Sequence, residues 1–334
     1  MNNNMTRDKN IGLNLRRLLV LGSAALALLP LAARAAYPEQ PINMIVAYGP
    51  GGGTDIIARV IVPYLEKYLG DGARITVLNR PGAGGAIGFS ALAAAPADGY
   101  TIGFVNTPNL LTLPIERKTA FSWQSFDLLG SIVDDPGDFA VPADSPVKTL
   151  KDLIAHAKAH PGTVTVGTTG VGSDDHLALL SFERAAGVKM NHIPFKGGAE
   201  VLAALAGKQI AVGAINVGEV LQAVKGGTPL RHLGQMSVNR TALAPDVPTF
   251  REQGLDIVLA SLRSIAAPKG LPPAVREKLA VAVEKAAADP KFQAQAASYF
   301  APLRYMPPAR LEADMREAEA QFRQLWKEIP WTDK

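Results

Sequence analysis

The chain has 334 residues, of which 48% are hydrophobic, 31 are glycine and 25 are proline, and its formal net charge is +4. This length allows two ordinary domains, and the composition is typical of a globular protein rather than a disordered one. Because the chain has no cysteine, disulfides, thiolate catalysis, zinc–cysteine sites and lipid attachment at cysteine are all excluded.

The first 35 residues have the pattern of an export signal. A basic start is followed by the apolar segment Leu18 to Ala32 and then by Ala33-Arg34-Ala35, which fits the small-residue cleavage pattern. The apolar segment is short for a membrane span, although an uncleaved anchor is the alternative. We therefore predict a periplasmic protein that begins at Ala36. The Arg16-Arg17 pair leaves both the general secretory and the twin-arginine export routes open.

The same leader explains the basic charge of the chain. Residues 1–35 carry five Lys or Arg and one Asp, so their net charge of +4 equals that of the whole chain. The remainder is close to neutral, and no basic face is implied. Composition therefore gives no reason to expect a nucleic-acid partner.

The stretch from Ile42 to Arg59, INMIVAYGPGGGTDIIAR, predicts a strand, a glycine loop and a helix. The apolar run from Ile42 to Val46 indicates a buried strand, and the glycines at 49–53 cannot continue it. Apolar residues at helical spacing follow from Ile56. A helix start carries unpaired N–H donors and a partial positive charge. We therefore expect this loop to form half of an anion-binding cleft.

The same order of elements recurs along the first third of the chain. Arg74 to Leu78 predicts a strand, residues 79–85 form a second glycine loop, and Ala86 to Ala95 predicts a helix. A third strand is predicted at Tyr100 to Asn106. Strands that alternate with helices indicate a parallel α/β sheet, in which ligands bind beyond the carboxyl ends of the strands.

A second region repeats the pattern. Strand-like segments at Leu128 to Val133 and Phe139 to Val141 run into Pro142 to Pro146, which we interpret as a crossing between domains. A helix is predicted at Leu150 to His160. Two more units follow: strands at Val164 to Gly167 and His192 to Phe195, glycine loops at 168–173 and 196–198, and helices at Asp174 to Ala186 and from Gly198 to Ala206.

The remaining elements complete this region and return to the first one. They are strands at Ile210 to Ile215 and Leu230 to Gln235, a helix opening at Asn216, a helix from Asp246 to Gly254, a long strand at Ile257 to Ala267, and amphipathic helices at Pro272 to Ala287 and Pro308 to Lys327. The long strand is predicted as the second crossing.

Several linked motifs in this order resemble the Bug family, the periplasmic substrate-binding proteins of tripartite tricarboxylate transporters. The strongest are GPGGGTDIIAR at 49–59, VLNRPGAGGAIG at 77–88 and ADGYTI at 97–102. Weaker ones are GTTGVGS at 167–173 with His176-Leu177, FKGG at 195–198 and DVPTF at 246–250. The resemblance implies an α/β two-domain periplasmic binding protein type II fold, with the ligand in the cleft between domains joined by crossing strands. Family ligands are mostly small carboxylates.

The resemblance also implies where the ligand binds. Carried over residue by residue, the candidate ligand-binding residues are Gly51, Gly52, Thr54, Asp55, Ala83, Gly84, Gly85, Thr168, Thr169, Gly172, Ser173, Lys196, Gly197 and Gly198, and we add Tyr48 and Asn216. The alternative for Asp55 is a helix cap, and the alternative for Lys196 is a solvated loop lysine. The family holds its ligands largely through backbone groups and ordered waters at such loops. Donors at helix starts would neutralise a carboxylate without requiring a buried arginine.

Two departures from the family pattern put the ligand's identity in doubt. Leu262-Arg263-Ser264 stands where the family usually has Trp-x-Gly, and it lies near the return crossing, where it could alter closure. Lys208-Gln209-Ile210-Ala211 stands where an acidic residue often ends a Gly-Gln-Val-Asp pattern. Neither departure touches the glycine loops.

Two more specific interpretations, dinucleotide binding and hydrolase activity, have less support from the sequence. Gly82-Ala83-Gly84 loosely resembles a dinucleotide fingerprint, but the third glycine is misplaced and the next strand ends in Asn106 rather than an acid. Ser173, followed by two aspartates and His176, does not place a base against a nucleophile, and no G-x-S-x-G elbow is present. Ser173 as a helix N-cap and the aspartates as partners of the helix dipole explain that run.

We therefore predict a binding protein with no enzymatic activity, no cofactor and no metal site. It would be a monomer with domain I at residues 36–143 and 264–334 and domain II at 144–263. It would capture a small mono- or dicarboxylate and deliver it to membrane transporter subunits. An exported α/β enzyme acting on a small acid or ester is the alternative from another class. A subunit that senses ligand for a membrane receptor is a third.

Overall fold

Two blocks of three parallel strands, joined by two antiparallel strands, form the frame of the protein in this computed structural model. The structure describes residues 37–70 and 72–332. The predicted export signal and its cleavage point before Ala36 lie outside the described residues. Among the described residues, no helix is long and apolar enough to cross a membrane.

The first block confirms two predicted strand–loop–helix units. Its elements are β1 (Ile42–Val46), α1 (Gly53–Leu69), β2 (Ile75–Asn79), a 3-10 turn at Ala83–Gly85, α2 (Ala86–Ala93), β3 (Thr101–Thr107) and α3 (Asn109–Glu116). Strand β1 pairs in parallel with both β2 and β3. Helix α3 was not predicted, because Pro108 before it and Pro114 within it favour a turn.

A long strand leads out of this block. Strand β4 (Phe126–Pro142) is continuous, whereas two separate strands were predicted because Pro136-Gly137 looks like a break. It pairs antiparallel with β9 (Ala260–Pro268) as far as Pro136, with shifts in register after Leu128 and Ser131. These irregularities lie on either side of Gly130, a residue that often marks a bulge in a strand.

From Gly137 onward β4 belongs to the second block, where it pairs with β7 and β8. This block contains α4 (Leu150–Ala159), β5 (Thr165–Thr168), α5 (Asp174–Ala186), β6 (Asn191–Pro194), α6 (Gly198–Ala206), β7 (Val212–Asn216), α7 (Val217–Lys225) and β8 (Leu230–Gln235). Strand β5 pairs in parallel with β6 and β7. The pairing changes partner inside β4, and the wider division at residues 143 and 263 stays a prediction.

Strand β9 returns the chain to the first block, where it pairs antiparallel with β3. The helices α8 (Pro273–Ala288), α9 (Pro290–Ser298) and α10 (Pro308–Glu328) follow. The predicted helix at 246–254 is wrong, since only Arg251–Gln253 forms a 3-10 turn there. The Thr249 hydroxyl and the Glu252 carboxylate bond to each other's backbone N–H groups, which is a local cap and not a longer helix.

Apolar packing holds each block beneath its loops. In the second block Phe139 meets Phe182 and Phe250 edge to face, with ring centroids 5.2 and 5.3 Å apart, and all three rings are fully buried. Such aromatic pairs contribute about 0.5–1.5 kcal/mol beyond the area they bury. The polar loops at the carboxyl ends of the strands therefore stand on a rigid support.

Candidate functional site

The carboxyl-end loops of the two blocks touch each other. The Gly49 N–H donates to the Lys196 carbonyl at 3.2 Å, and the Thr112 hydroxyl donates to the Gly172 carbonyl at 2.6 Å. Gly84 has a φ of +64°, and a Cβ added there would lie 2.7 Å from the Val171 carbonyl oxygen. Glycine is therefore required at this position, because the facing backbone approaches so closely.

A small cavity lies between these loops. About 20 Å³ is open to the centre of a water molecule, which is room for a single water. The cavity is lined by Tyr48, Gly52, Gly53, Thr54, Asn106, Asn109, Thr169, Asp174, Gly198, Asn216, Glu219, Ser261 and Arg263. Both blocks and the connecting strand β9 therefore contribute to its wall.

Six of the predicted ligand-binding residues lie in this wall: Tyr48, Gly52, Thr54, Thr169, Gly198 and Asn216. Three others, Ala83, Gly84 and Lys196, line a wider outer pocket of about 580 Å³. The remaining seven line neither of these two spaces: Gly51, Asp55, Gly85, Thr168, Gly172, Ser173 and Gly197. These seven belong to the loops that support the wall.

Backbone donors at the helix starts are used by the chain's own carboxylates. The Gly53 N–H donates to Glu219 Oε1 at 2.8 Å, across the cleft. The Gly51 N–H donates to Asp55 Oδ2 at 2.9 Å. The Thr169 N–H donates to Asp175 Oδ2 at 3.1 Å. We expected such donors to bind a ligand's carboxylate, but these three bind side chains of the protein.

Asp55 holds the first glycine loop in place. Besides the Gly51 N–H, its carboxylate accepts hydrogen bonds from Arg59 Nε at 3.0 Å and Asn79 Nδ2 at 2.9 Å. Burial raises the pKa of Asp55, but Arg59, the Gly51 N–H and Asn79 together lower it below its ordinary value. The side chain is therefore an ionised anchor of the loop.

Arg263 lines the cavity, although it is not among the predicted ligand-binding residues. Its side chain is only 3% exposed, and its Nη2 donates to Asn216 Oδ1 at 2.9 Å, Glu219 Oε2 at 3.2 Å and Asp135 Oδ2 at 3.3 Å. A Cβ added to Gly53 would lie 2.4 Å from Arg263 Nη1, so the guanidinium packs directly on the start of α1. The cavity thus has a buried arginine, contrary to our expectation.

Buried carboxylates surround this arginine. Asp135, Asp174, Asp175 and Glu219 are each at most 8% exposed. Burial raises the pKa of Asp135 to about 7 and that of Asp174 to about 6. Burial and the neighbouring Asp174 raise the pKa of Asp175 well above its ordinary value. The site therefore has more acidic groups than one guanidinium compensates.

A signal for these acids was present in the sequence. Asp174 and Glu219 each lie in the first turn of a helix that follows a predicted strand, at the edge of the sheet where parallel α/β proteins bind their ligands. Asp174 and Asp175 were interpreted only as partners of the helix dipole, and both do lie in the first turn of α5.

The neighbouring hydrolase-like residues have structural roles. Ser173 caps α5 by accepting a hydrogen bond from the His176 N–H at 3.1 Å, as predicted. The His176 ring stacks on His192 with centroids 4.1 Å apart, and its Nδ1 accepts the Gly172 N–H at 3.2 Å. Burial and His192 lower the pKa of His176 to about 3, so this ring is neutral.

Three similarities to known proteins agree with this architecture. BugT of Bordetella pertussis is 33% identical over 270 residues, which cover 79% of this chain and 82% of BugT. The structure of the periplasmic binding protein BugD has a TM-score of 0.83 and 29% identity, covering 89% of this chain and all of that one. The structure of R. palustris Rpa4515 with adipate has a TM-score of 0.81 and 25% identity, covering 87% and 97%.

A family model described as the tripartite tricarboxylate transporter family receptor matches residues 57–302. This range includes the second block, the first block from Ile57 onward, and nine of the thirteen residues that line the cavity. Strand β1 and the first glycine loop precede it. Members of this family bind solutes and are not enzymes. The chain therefore belongs to the tripartite tricarboxylate transporter receptors, the Bug proteins, and is a periplasmic solute-binding protein.

Proposed function

We propose that this protein captures a small organic acid in the cleft between its two strand blocks and delivers it to membrane transporter subunits. The observation that carries this proposal is Arg263, a cation buried in the cavity wall where the carboxyl-end loops of both blocks converge. Its Nε has no hydrogen-bond partner among the described residues. A charge-assisted hydrogen bond from such a donor suits a carboxylate.

The similarity to a protein whose structure contains adipate supports the carboxylate class. We therefore take the ligand to be a small mono- or dicarboxylate. The cavity has room for one water, so a ligand enters only when the blocks separate. Strands β4 and β9 are the connections about which such a hinge motion takes place.

Capture is tested by thermal denaturation of the protein beginning at Ala36 against a panel of mono- and dicarboxylates. A ligand at 100 times its dissociation constant adds about 2.7 kcal/mol to the free energy of unfolding. We expect a shift with one or a few acids, and we expect Arg263→Gln to reduce it. Arg251→Gln is the matched control, because that guanidinium lies on the surface in a pair with Asp256. No shift with any acid would contradict the proposal.

Delivery is tested separately, by uptake of the labelled acid into cells that lack this gene. We expect uptake to fall and to be restored by the wild-type gene but not by an Arg263→Gln copy. Normal uptake in the deletion strain would overturn the delivery step and leave capture intact.

A further inference from the structure

The segment that follows α10 runs from the first strand block to the second. Helix α10 packs against α3 and β4 and buries Leu311 and Met315. The end of this helix and residues 329–330 line a surface groove whose other side is formed by α4 and α5 of the second block. Within this groove, Arg184 Nη1 of α5 donates to Glu328 Oε2 at 3.2 Å. Residues 329–332 therefore link the blocks in addition to β4 and β9.

Trp331 lies in this segment at the point where the two blocks touch. Its side chain is fully buried, and its Nε1 donates to the Thr112 carbonyl of α3 at 3.4 Å. A Cβ added to Gly172 would lie 3.7 Å from Trp331 Cδ1, so the indole also lies against the glycine loop of the second block. The Thr112 hydroxyl donates to the Gly172 carbonyl beside it. One indole thus packs on both blocks where a hydrogen bond already joins them.

Separation of the blocks would uncover part of this indole. Its ring meets Trp326 of α10 edge to face, with centroids 4.7 Å apart, which holds it on the side of the first block. When the loop at 168–173 moves away from α3, the contact with Gly172 is lost and that face of the ring meets water. A buried aromatic side chain removes about 150–250 Å² from water, so this exposure opposes the separation.

The ion pair in the same region contributes less. Arg184 is 58% exposed and Glu328 is 48% exposed, and pairs between exposed charges stabilise a structure little because water and salt screen them. The buried indole is therefore the main contact through which residues 329–332 resist separation of the blocks.

We propose that residues 329–332 are a latch that keeps the two blocks together, and that Trp331 is the side chain through which it acts. The latch uses the hinge motion proposed above, but it does not depend on which acid is bound. It shifts the equilibrium toward joined blocks and slows the escape of a bound ligand. Because the indole stays on the first block, only its contact with the loop at 168–173 breaks and forms again.

Hydrogen exchange tests the latch without any ligand. The Gly49 N–H donates to the Lys196 carbonyl across the cleft. The Gly53 N–H donates to Glu219, also across the cleft. Both amides exchange when the blocks separate. In Trp331→Ala we expect their exchange to be at least about 10-fold faster, because loss of a buried aromatic side chain removes a large packing contribution. Trp331→Phe, which keeps a ring, should give a smaller increase.

Trp123→Ala and Trp123→Phe are the matched controls. Trp123 is 8% exposed and its Nε1 donates to Glu319 of α10 at 2.7 Å, but neither residue belongs to the second block. We expect these variants to lower the urea midpoint while exchange at Gly49 and Gly53 stays within about 2-fold of wild type. Unchanged exchange in both folded Trp331 variants would overturn the latch, and so would equal acceleration in the Trp123 variants.

Retention is tested by the dissociation rate of an acid identified in the thermal panel. We expect Trp331→Ala to raise this rate by about the same factor as the exchange of Gly49 and Gly53, since both report separation of the blocks. An unchanged dissociation rate would overturn the role in retention. If no acid binds, the proposed function fails while the exchange experiment still decides whether the latch exists.

Discussion

The inner cavity and the outer pocket border the same loops but have opposite charge. The inner one has room for one water and is lined by Asp174, Glu219 and Arg263. The outer one measures about 580 Å³, and its charged lining residues are Arg117, Lys118 and Lys196. Exposed cations attract anions over a distance but are screened by salt, whereas buried charges discriminate strongly at contact. The outer pocket is therefore suited to attraction and the inner cavity to selection.

The largest loss of stability is expected from replacing Arg263, the cation that lines the inner cavity. Arg263→Met leaves the buried carboxylates of Asp135 and Glu219 without their counter-charge. Breaking a buried ion cluster in this way costs about 3–5 kcal/mol. Urea denaturation measures it, and Arg251→Met, on the surface, should change stability by less than about 0.5 kcal/mol. Equal losses in the two variants would remove the distinction between buried and surface charge.

A smaller effect is expected from crowding the same guanidinium. In Gly53→Ala the new Cβ would lie 2.4 Å from Arg263 Nη1, whereas in the neighbouring Gly52→Ala the nearest atom, the Gly198 nitrogen, is 3.4 Å away. We expect Gly53→Ala to lose about 1–3 kcal/mol through overpacking and to weaken ligand binding. Gly52→Ala should lose less stability and less ligand affinity. Titration of the two purified variants checks this order, which a greater loss in Gly52→Ala would reverse.

The acidic wall also predicts a dependence on pH. Burial raises the pKa of Asp174 in the folded protein to about 6, above its ordinary value of 3.8. Its contribution to stability is therefore full below the unfolded pKa and is lost as the pH rises through about 6. Between about pH 5 and pH 8 we expect the wild type to lose about 1 kcal/mol more than Asp174→Asn. Urea denaturation at each pH measures the difference.

Asp174→Asn removes the titration of Asp174 and also the charge that raises the pKa of the neighbouring Asp175. Burial lowers the pKa of His232, but Asp138 raises it above its ordinary value, so His232 changes stability in the same direction. That pair is present in both proteins and cancels in the difference. Parallel pH curves for wild type and variant would show that Asp174 does not titrate in this range.

The smallest effect is expected in the outer pocket. Replacing Lys118 and Lys196 by Gln removes two of its cations. We expect the association rate of an acid to fall about 2- to 3-fold at low salt, with no change in its dissociation rate. Stopped-flow binding at two salt concentrations measures both. A change confined to dissociation would mean that these lysines contact the bound ligand.

The elements near the glycine loops could be predicted because their signals are local. The apolar run at 42–46, the glycines at 49–53 and the helical spacing from Ile56 are contiguous in the sequence, and each limits the backbone directly. The same holds for Ser173 as a cap of α5. Six of the predicted site residues line the cavity for this reason.

The charge of the cavity could not be predicted in the same way. Arg263 meets Asp135 and Glu219 across separations of 128 and 44 residues, and only the pairing of β9 between β3 and β4 brings them together. That pairing depends on β4 continuing as far as Pro136, where local rules predict a break. The departure from the family pattern at Leu262-Arg263-Ser264 drew attention to this position, but it did not indicate which residues Arg263 would contact.

The place of Arg263 and Asp135 in the strands has a mechanical consequence. Arg263 lies on β9 and Asp135 lies on β4, and these two strands connect the blocks. In a rotation about these connections, displacement grows with distance from the axis, so atoms near the strands move little and the rim of the outer pocket moves most. The contacts of Arg263 with Asp135 would therefore persist through the hinge motion proposed above, while the two sides of the outer pocket separate.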